Sequence, residues 1–418
     1  MIDINLIRKT PEHVKNACLR RGETIPIEEI LEIDKIKRDS LSKASELRAH
    51  RNKVSRDIGL SKKASPEIID QMKQIGQDIK KLDIVIRDTT KKLEDLLLSI
   101  PNIPDTKVPD GLDDTNNKLI DTHGSPQKFK FTLSPHWDLA KNLDIIDFER
   151  GTKLSASRFY ILKGKGAKLQ RSLISWMIDI HTANGYQDLY LPYLVNRQTA
   201  LGSGQLPKFY ENMYHDTEDD LWLIPTAEVP ITNLYRDEIL DYKDLPLNFV
   251  AHTPCFRREK ANAGKDTRGI KRVHQFEKVE MYKFVEPENS EKELMLLLSH
   301  AQEICKLLDI PYRTIQMCAG NLGFASSISY DIEIWASGSA EWLEISSCSN
   351  CKDFQSIRSN IRFRNKETNK PEFVHTINGS GLSLPRLLIA ILENGQTEDG
   401  SVHIPKILHP YTQFERID

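Results

Sequence analysis

Between Ile68 and Ile100 one set of positions recurs in regular steps of four and three: Ile68, Met72, Ile75, Ile79, Leu82, Ile86, Thr89, Leu93, Leu96, Ile100. That seam predicts a single helix of ~33 residues, and at 1.5 Å per residue it is ~50 Å long. Ser65 and Pro66 supply an N-cap and a proline for its first turn. Upstream, Ile30, Ile33, Leu41, Ala44, Leu47, Val54 and Ile58 form a rougher helical stripe that ends at Gly59. Lys37 and Arg51 stand where apolar seam residues are expected. Two long helices joined by the short turn from Gly59 to Ser65 can only form an antiparallel hairpin.

Residues 35–95 hold 16 Lys and Arg against 10 Asp and Glu, a balance of +6, so with the chain at −2 the remainder carries −8. The tip, with Arg48, Arg51, Lys53, Arg56, Lys62 and Lys63, is its most basic part. A solvated coiled coil for spacing or dimerisation would account for such a hairpin. A basic rod on an acidic body also suits contact with a phosphate backbone.

Residues 101–124 are rich in Pro, Asp and Asn, the composition of a linker or boundary loop. A second body follows. Leu169, Leu173, Trp176, Met177 and Ile180 predict a helix over 165–184 that stops at Gly185, and residues 188–195 read as a strand. Residues 255–284 read as strand, long polar loop, strand. Val273, Gln275, Glu277, Val279 and Met281 fall on one face, and His274, Phe276, Lys278, Glu280 and Tyr282 on the other. Gly264 and Gly269 are turn residues of the loop. This stretch carries Arg257, Glu259, Arg272 and Glu280 together, more charge than a solvated hairpin needs. Downstream come an amphipathic helix over 290–308 and strands over 329–335 and 341–347. A strand over 372–378, a Gly-Ser-Gly turn and a helix over 384–392 complete the chain. Strands and hairpins without regular strand–helix alternation argue for an antiparallel sheet flanked by helices, so the fold class is α+β.

Six scattered cysteines in a long chain argue for a reducing compartment, and one CxxC, Cys348 to Cys351, is weak ground for a metal. No apolar run of ~18 residues exists to span a membrane. The N-terminus has neither a secretory nor an Arg-rich leader pattern. A cytoplasmic protein is expected.

Three stretches then align in order: the helix and strand ending at Pro192; Phe256-Arg257-x-Glu259 with Arg272; and Asn378-Gly-Ser-Gly-Leu-x-x-x-Arg386. Together they resemble motifs 1, 2 and 3 of class II aminoacyl-tRNA synthetases. Gly-Thr-Lys-Leu (151–154), Pro-Thr-Ala-Glu (225–228), Asp-Thr-Arg-Gly (266–269), Glu-Ile-Ser-Ser-Cys-Ser-Asn (344–350) and Glu-Asp-Gly-Ser-Val (398–402) are similar to the bacterial type of the seryl-tRNA synthetase family. The resemblance spans essentially the whole chain. It implies a tRNA-binding helical arm over 1–104, a linker over 105–125 and a class II catalytic domain over 126–418. Arg258, the run from Lys260 to Ala263, and Ser383-Leu-Pro before Arg386 depart from the common pattern.

What the resemblance implies can be stated residue by residue. L-serine and ATP would give seryl-adenylate, and the seryl group would pass to tRNA(Ser), and to tRNA(Sec) where present. Arg257 and Arg386 would be catalytic, the first on the α-phosphate and serine carboxylate, the second on the γ-phosphate. Thr226, Glu228, Arg257, Glu280, Asn378 and Ser380 would bind serine. Arg257, Arg258, Glu259, Arg272, Val273, Phe276, Glu344, Ile345, Ser346, Ser347 and Arg386 would bind ATP, with Phe276 stacked on adenine. Glu344 and Ser347 would hold Mg2+, and no zinc is expected. The arm residues Arg48, Arg51, Lys53, Arg56, Lys62 and Lys63 would meet tRNA. A homodimer is implied, because the first motif forms the class II subunit interface.

Attack of one anion on another needs neutralisation and alignment more than proton transfer. A planar guanidinium suits both anions. His181 and His274 read as structural. Glu280→Ala is expected to abolish adenylation with the fold intact. A carrier-protein ligase would share the adenylation but lack the arm. An interaction protein with a degenerate synthetase body would have lost Arg257, Glu280, Glu344 or Arg386.

Overall fold

The computed structural model describes residues 1–61, 65–260 and 268–418. Lys62, Lys63, Gly264 and residues 261–267 lie outside the described residues. The chain divides into two compact units: Ile2–Leu19 with Glu23–Pro101, and Met1 and Arg20–Gly22 with Asn102–Asp418.

In the first unit, helices Ile27–Ser61 and Pro66–Ser99 pack on each other as the expected pair. Ser65 caps the second by accepting from Ile68 N, and Pro66 opens it. Ile75, Ile79 and Leu93 of the seam are buried, joined near the end by Leu97 rather than Leu96. The first helix runs past Gly59, which an exposed glycine permits at a cost of about 1 kcal/mol. Its stripe needs one correction: Leu41 is exposed and Ser40 is buried in its place. Ile30, Ile33, Ser40 and Ala44 are buried on a strict heptad whose intervening positions Lys37 and Leu47 are half-buried and whose next position, Arg51, is exposed. Short helices Ile4–Lys9 and Pro11–Arg20 precede the pair. Arg8 clasps buried Asp34 through Nε at 2.7 Å and Nη2 at 2.5 Å, and Arg38 adds a third bond at 2.9 Å.

The second unit is built on an eight-stranded sheet. Its order is Lys118–His123, Tyr312–Gln316, Ile328–Ala336, Glu341–Lys352, His375–Ser383, Gln275–Val285, Leu247–Phe256 and Gln187–Asp188. Neighbours are antiparallel except the last pair, which is parallel. The hairpin strands Leu247–Phe256 and Gln275–Val285 lie inside the sheet, not at its rim. Val279, Met281 and Val285 pack with Leu169, Leu173 and Trp176 of helix Gly164–Ala183 in the main core. On the opposite face Tyr282 and Phe284 join Phe249, Ala251 and Phe363 in a second core. Polar residues on this strand are thus enclosed by sheet neighbours on both sides.

Three expectations change here. The strand-like run 188–195 is split into Gln187–Asp188 and Leu194–Asn196, which belong to different sheets, with Pro192 between them. Proline has no N–H to continue a ladder. The Gly-Ser-Gly of 379–381 is no turn but the middle of strand His375–Ser383. A Cβ on Gly379 would sit 2.9 Å from Cys348 Sγ, and one on Gly381 would sit 2.5 Å from His181 Nε2. Close packing, not chain reversal, requires these glycines. Lys118–His123, within the stretch read as a boundary loop, is the sheet's edge strand. Among the described residues no helix is long and apolar enough to cross a membrane.

Candidate active site

Of the cavities among the described residues, two adjoining ones gather most of the expected residues. The larger, about 430 Å³, is lined by Thr226, Glu228, Arg257, Lys278, Glu280, Asn378 and Ser380, with Ser203 and Gly204 on its loop side. The smaller, about 140 Å³, is lined by Arg257, Glu259, Arg272, Val273, Phe276, Glu344, Ile345 and Arg386. Arg257, Glu259, Lys278, Glu344 and Ser380 border both. They form the wall where contents of the two cavities would meet.

Strand register places the larger cavity's polar groups. Glu280 stands opposite Ser380, and Tyr282 opposite Asn378, beside a register shift at Val279. Thr226 and Glu228 come from the turn that enters the short helix Glu228–Thr232. Thr226 Oγ1 donates to Glu280 Oε2 at 3.1 Å and accepts from Lys278 Nζ at 2.8 Å. Lys278 also pairs with Glu280 Oε2. The other oxygen, Glu280 Oε1, is buried and has no hydrogen-bond partner among the described residues. Gln355 Nε2 holds Glu228 Oε1 at 2.6 Å and Ser203 O at 3.0 Å. Burial, with the charge of Glu280 second, pushes the Glu228 carboxyl up to about 7.

In the smaller cavity Arg257 donates through Nε to Pro225 O at 3.2 Å, and its guanidinium lies 5.1 Å from the centre of the Phe276 ring. Arg272 and Glu259 approach to 3.9 Å. Arg386, in the first turn of helix Leu384–Asn394, donates to Glu344 O at 2.5 Å and lies 3.3 Å from Glu344 Oε2.

Most of the expected serine and ATP residues therefore meet in two adjoining cavities. Two do not. Arg258 donates to Met213 O at 3.0 Å with its guanidinium 4.6 Å from the Tyr214 ring centre, and Ser346 is buried, donating to Ser380 O at 2.6 Å. His181 and His274 have structural partners: Gly381 O and Arg257 O, each at 3.1 Å. Burial lowers His181 to about 4. Cys348 and Cys351 are buried free thiols.

Sequence reasoning passed over Lys278, Gln355 and Asp331. Lys278 sat on the same strand face as Glu280, so its signal was visible. Asp331 stands opposite Ser347 across a strand pair, with Oδ1 buried and without a hydrogen-bond partner among the described residues. Burial, then Glu344, holds its carboxyl well above the usual range. Among the described residues no group of three or more His, Cys, Asp or Glu side chains is arranged to hold a metal. Glu344 and Ser347 still offer oxygen donors of the kind Mg2+ takes when phosphates supply the rest.

In the helical unit Arg48 pairs with Asp83, while Arg51, Lys53 and Arg56 are exposed.

Comparison with known proteins bears on the whole chain. Residues 1–104 match the family described as seryl-tRNA synthetase N-terminal domain. Residues 210–395 match the tRNA synthetase class II core domain of the G, H, P, S and T type. The chain is 51% identical to a serine–tRNA ligase of Thermomicrobium roseum over 98% of this chain and 93% of that one. It is 49% identical to one of Dehalococcoides mccartyi over the full length of both. The crystal structure of seryl-tRNA synthetase from Pyrococcus horikoshii complexed with ATP superposes with a TM-score of 0.93 at 38% identity, covering 100% of this chain and 99% of that one. With both family domains matched and half of all residues shared along its length, this chain belongs to the seryl-tRNA synthetases of class II.

Proposed function

We propose that this protein is a serine–tRNA ligase that activates L-serine with ATP and transfers the seryl group to the 3′ end of tRNA(Ser), and of tRNA(Sec) where that tRNA exists. The observation that carries the site assignment is the shared wall of the two cavities. Arg257 faces both, so one guanidinium can hold the serine carboxylate from one side and the α-phosphate from the other. That neutralises two anions that must collide and holds them in line. Arg386 and Arg272 lie where the outer phosphates would sit, and Phe276 offers a ring face to adenine beside Glu259.

In the larger cavity Glu228 and Glu280 supply acceptors for the serine ammonium and hydroxyl, with Asn378 and Ser380 on the facing strand. A site that bonds the substrate hydroxyl rejects alanine by about 10⁴-fold or more, because its own buried group would be left unpaired. Mg2+ fits the donors available: Glu344 and Ser347 would hold it, and when bound it would offset phosphate charge.

The remaining parts of the reading rest on surfaces. Arg48, Arg51, Lys53 and Arg56 on the arm are proposed to meet the tRNA backbone. Lys62 and Lys63, assigned the same role from sequence, lie outside the described residues. A homodimer is supported by the exposed edge strand Lys118–His123, which carries exposed Leu119 and Ile120. A cytoplasmic location suits six buried free thiols.

The test is serine-dependent exchange of pyrophosphate into ATP, followed by charging of tRNA with labelled serine. Deletion of residues 30–97 should remove charging and retain exchange. Exchange stimulated by another amino acid and not by serine would overturn the reading.

A further inference from the structure

We infer that Lys278 is a positioning residue for amino-acid selection: it locks one oxygen of Glu280 together with the Thr226 hydroxyl, so that the other Glu280 oxygen is presented to the substrate hydroxyl. This rests on the reading that serine occupies the larger cavity.

Lys278 and Glu280 are two residues apart on strand Gln275–Val285, so their side chains leave the same face. Lys278 is 7% exposed and Glu280 0%. Burying an ammonium this deeply is costly unless it is paired and fully bonded. Its partners form a closed triangle: Lys278 Nζ to Thr226 Oγ1 at 2.8 Å, Thr226 Oγ1 to Glu280 Oε2 at 3.1 Å, and Lys278 to Glu280 Oε2.

The polarity of that triangle is forced. An ammonium can only donate, so Thr226 Oγ1 must accept from Lys278 and spend its single proton on Glu280. Thr226 Oγ1 also accepts from Glu228 N at 3.2 Å. One donor and two acceptor sites are then all engaged, and the Thr226 hydroxyl has nothing left for a ligand. Both bonds to the carboxylate fall on Oε2, and Oε1 is the buried oxygen without a partner among the described residues. The geometry turns a symmetric carboxylate into one anchored oxygen and one reading oxygen. A substrate hydroxyl satisfies the second; a methyl in its place leaves it bare.

Without Lys278 the Thr226 proton is free to rotate and the carboxylate loses its anchor. Selectivity should fall along with affinity. Lys278→Met keeps an unbranched stem within the sheet, and Lys278→Ala leaves room for an added amine. Both are compared with wild type by steady-state exchange, varying serine, alanine and ATP. We expect serine kcat/KM to fall by about 100-fold or more, and by a larger factor than kcat/KM for ATP. The serine-to-alanine preference should shrink by about tenfold or more. Millimolar ethylammonium should restore part of the serine rate in Lys278→Ala and none in Lys278→Met.

Serine kcat/KM within threefold of wild type in the folded variants overturns the assignment, as does an unchanged serine-to-alanine ratio. Should Lys278→Ala not fold, Lys278→Met carries the same comparison. Wild-type protein that shows no serine-dependent exchange overturns the serine reading itself. Wild type that exchanges, alongside unaffected variants, overturns only the role of Lys278.

Discussion

Gln355 donates Nε2 to Glu228 Oε1 at 2.6 Å, while its own carbonyl oxygen accepts from Tyr282 at 2.9 Å and Thr376 at 2.6 Å. The amide is fully buried, so its orientation is set by two hydroxyls and passed to the carboxylate. Glu228 is thereby aimed, yet burial and Glu280 hold its carboxyl near 7. Lys278 and Arg257 act in the opposite direction.

A pH dependence follows from that value. A raised carboxyl pKa means the folded protein binds more protons than the unfolded chain between the ordinary carboxylate range and about 7. Its contribution to stability is therefore full in acid and is lost as pH rises through about 7. A bound ammonium favours the ionised form, so serine should bind more tightly from pH 5.5 towards 7.5 and expel a proton. The slope should approach about tenfold per pH unit on the acid side. Calorimetry in two buffers of different ionisation enthalpy reads the proton directly. Gln355→Leu removes the hydrogen bond that lowers the Glu228 value and should move the midpoint upward.

Arg257→Ala should cut the rate of serine-dependent exchange by about 10²–10³-fold. Arg257→Lys should recover only a small part, because a point charge cannot span the two cavities as a planar fork does. Single-turnover measurement of adenylate formation checks it.

Glu280→Ala should abolish serine-dependent exchange. The fold should stay intact yet be less stable, since Lys278 loses its buried counter-charge. A loss of about 1–3 kcal/mol in urea unfolding is expected. Glu280→Gln, which keeps a carbonyl oxygen for Thr226, should lose less stability and nearly as much activity. Near-wild-type exchange in either variant would refute the assignment.

On the arm, neutralising Arg51, Lys53 and Arg56 together should raise the KM for tRNA and lower its salt dependence by up to about three ions. Pyrophosphate exchange should not change. Charging assays across a salt series separate the two.

The long helices were legible from spacing alone, because a heptad repeat is a local property of a helix's own surface. Details differed: Leu97 is buried rather than Leu96, the first helix runs past Gly59, and Leu41 is exposed, since a side chain's apolar character did not reveal that the strict three–four step runs through Ser40. The alternation in residues 273–282 likewise marked a strand and grouped Phe276, Lys278 and Glu280 on one face. The resemblance to the class II motifs then implied tasks for Arg257, Glu259, Glu280, Glu344 and Arg386.

What the tertiary structure decided is which polar groups hold which. Thr226 reaches Glu280 across 54 residues of sequence, and Gln355 reaches Glu228 across 127. No periodicity encodes such pairs, because they depend on strand order and register in a sheet assembled from distant segments. The same assembly gave Arg258 and Ser346 other partners, turned Gly379 and Gly381 from a presumed chain reversal into close-packing positions, and left one oxygen of Glu280 open. Local pattern determines the elements, and resemblance to a known family implies the chemistry. Burial against remote neighbours determines how each charge is held, because a buried polar group must find its partner wherever the fold brings one.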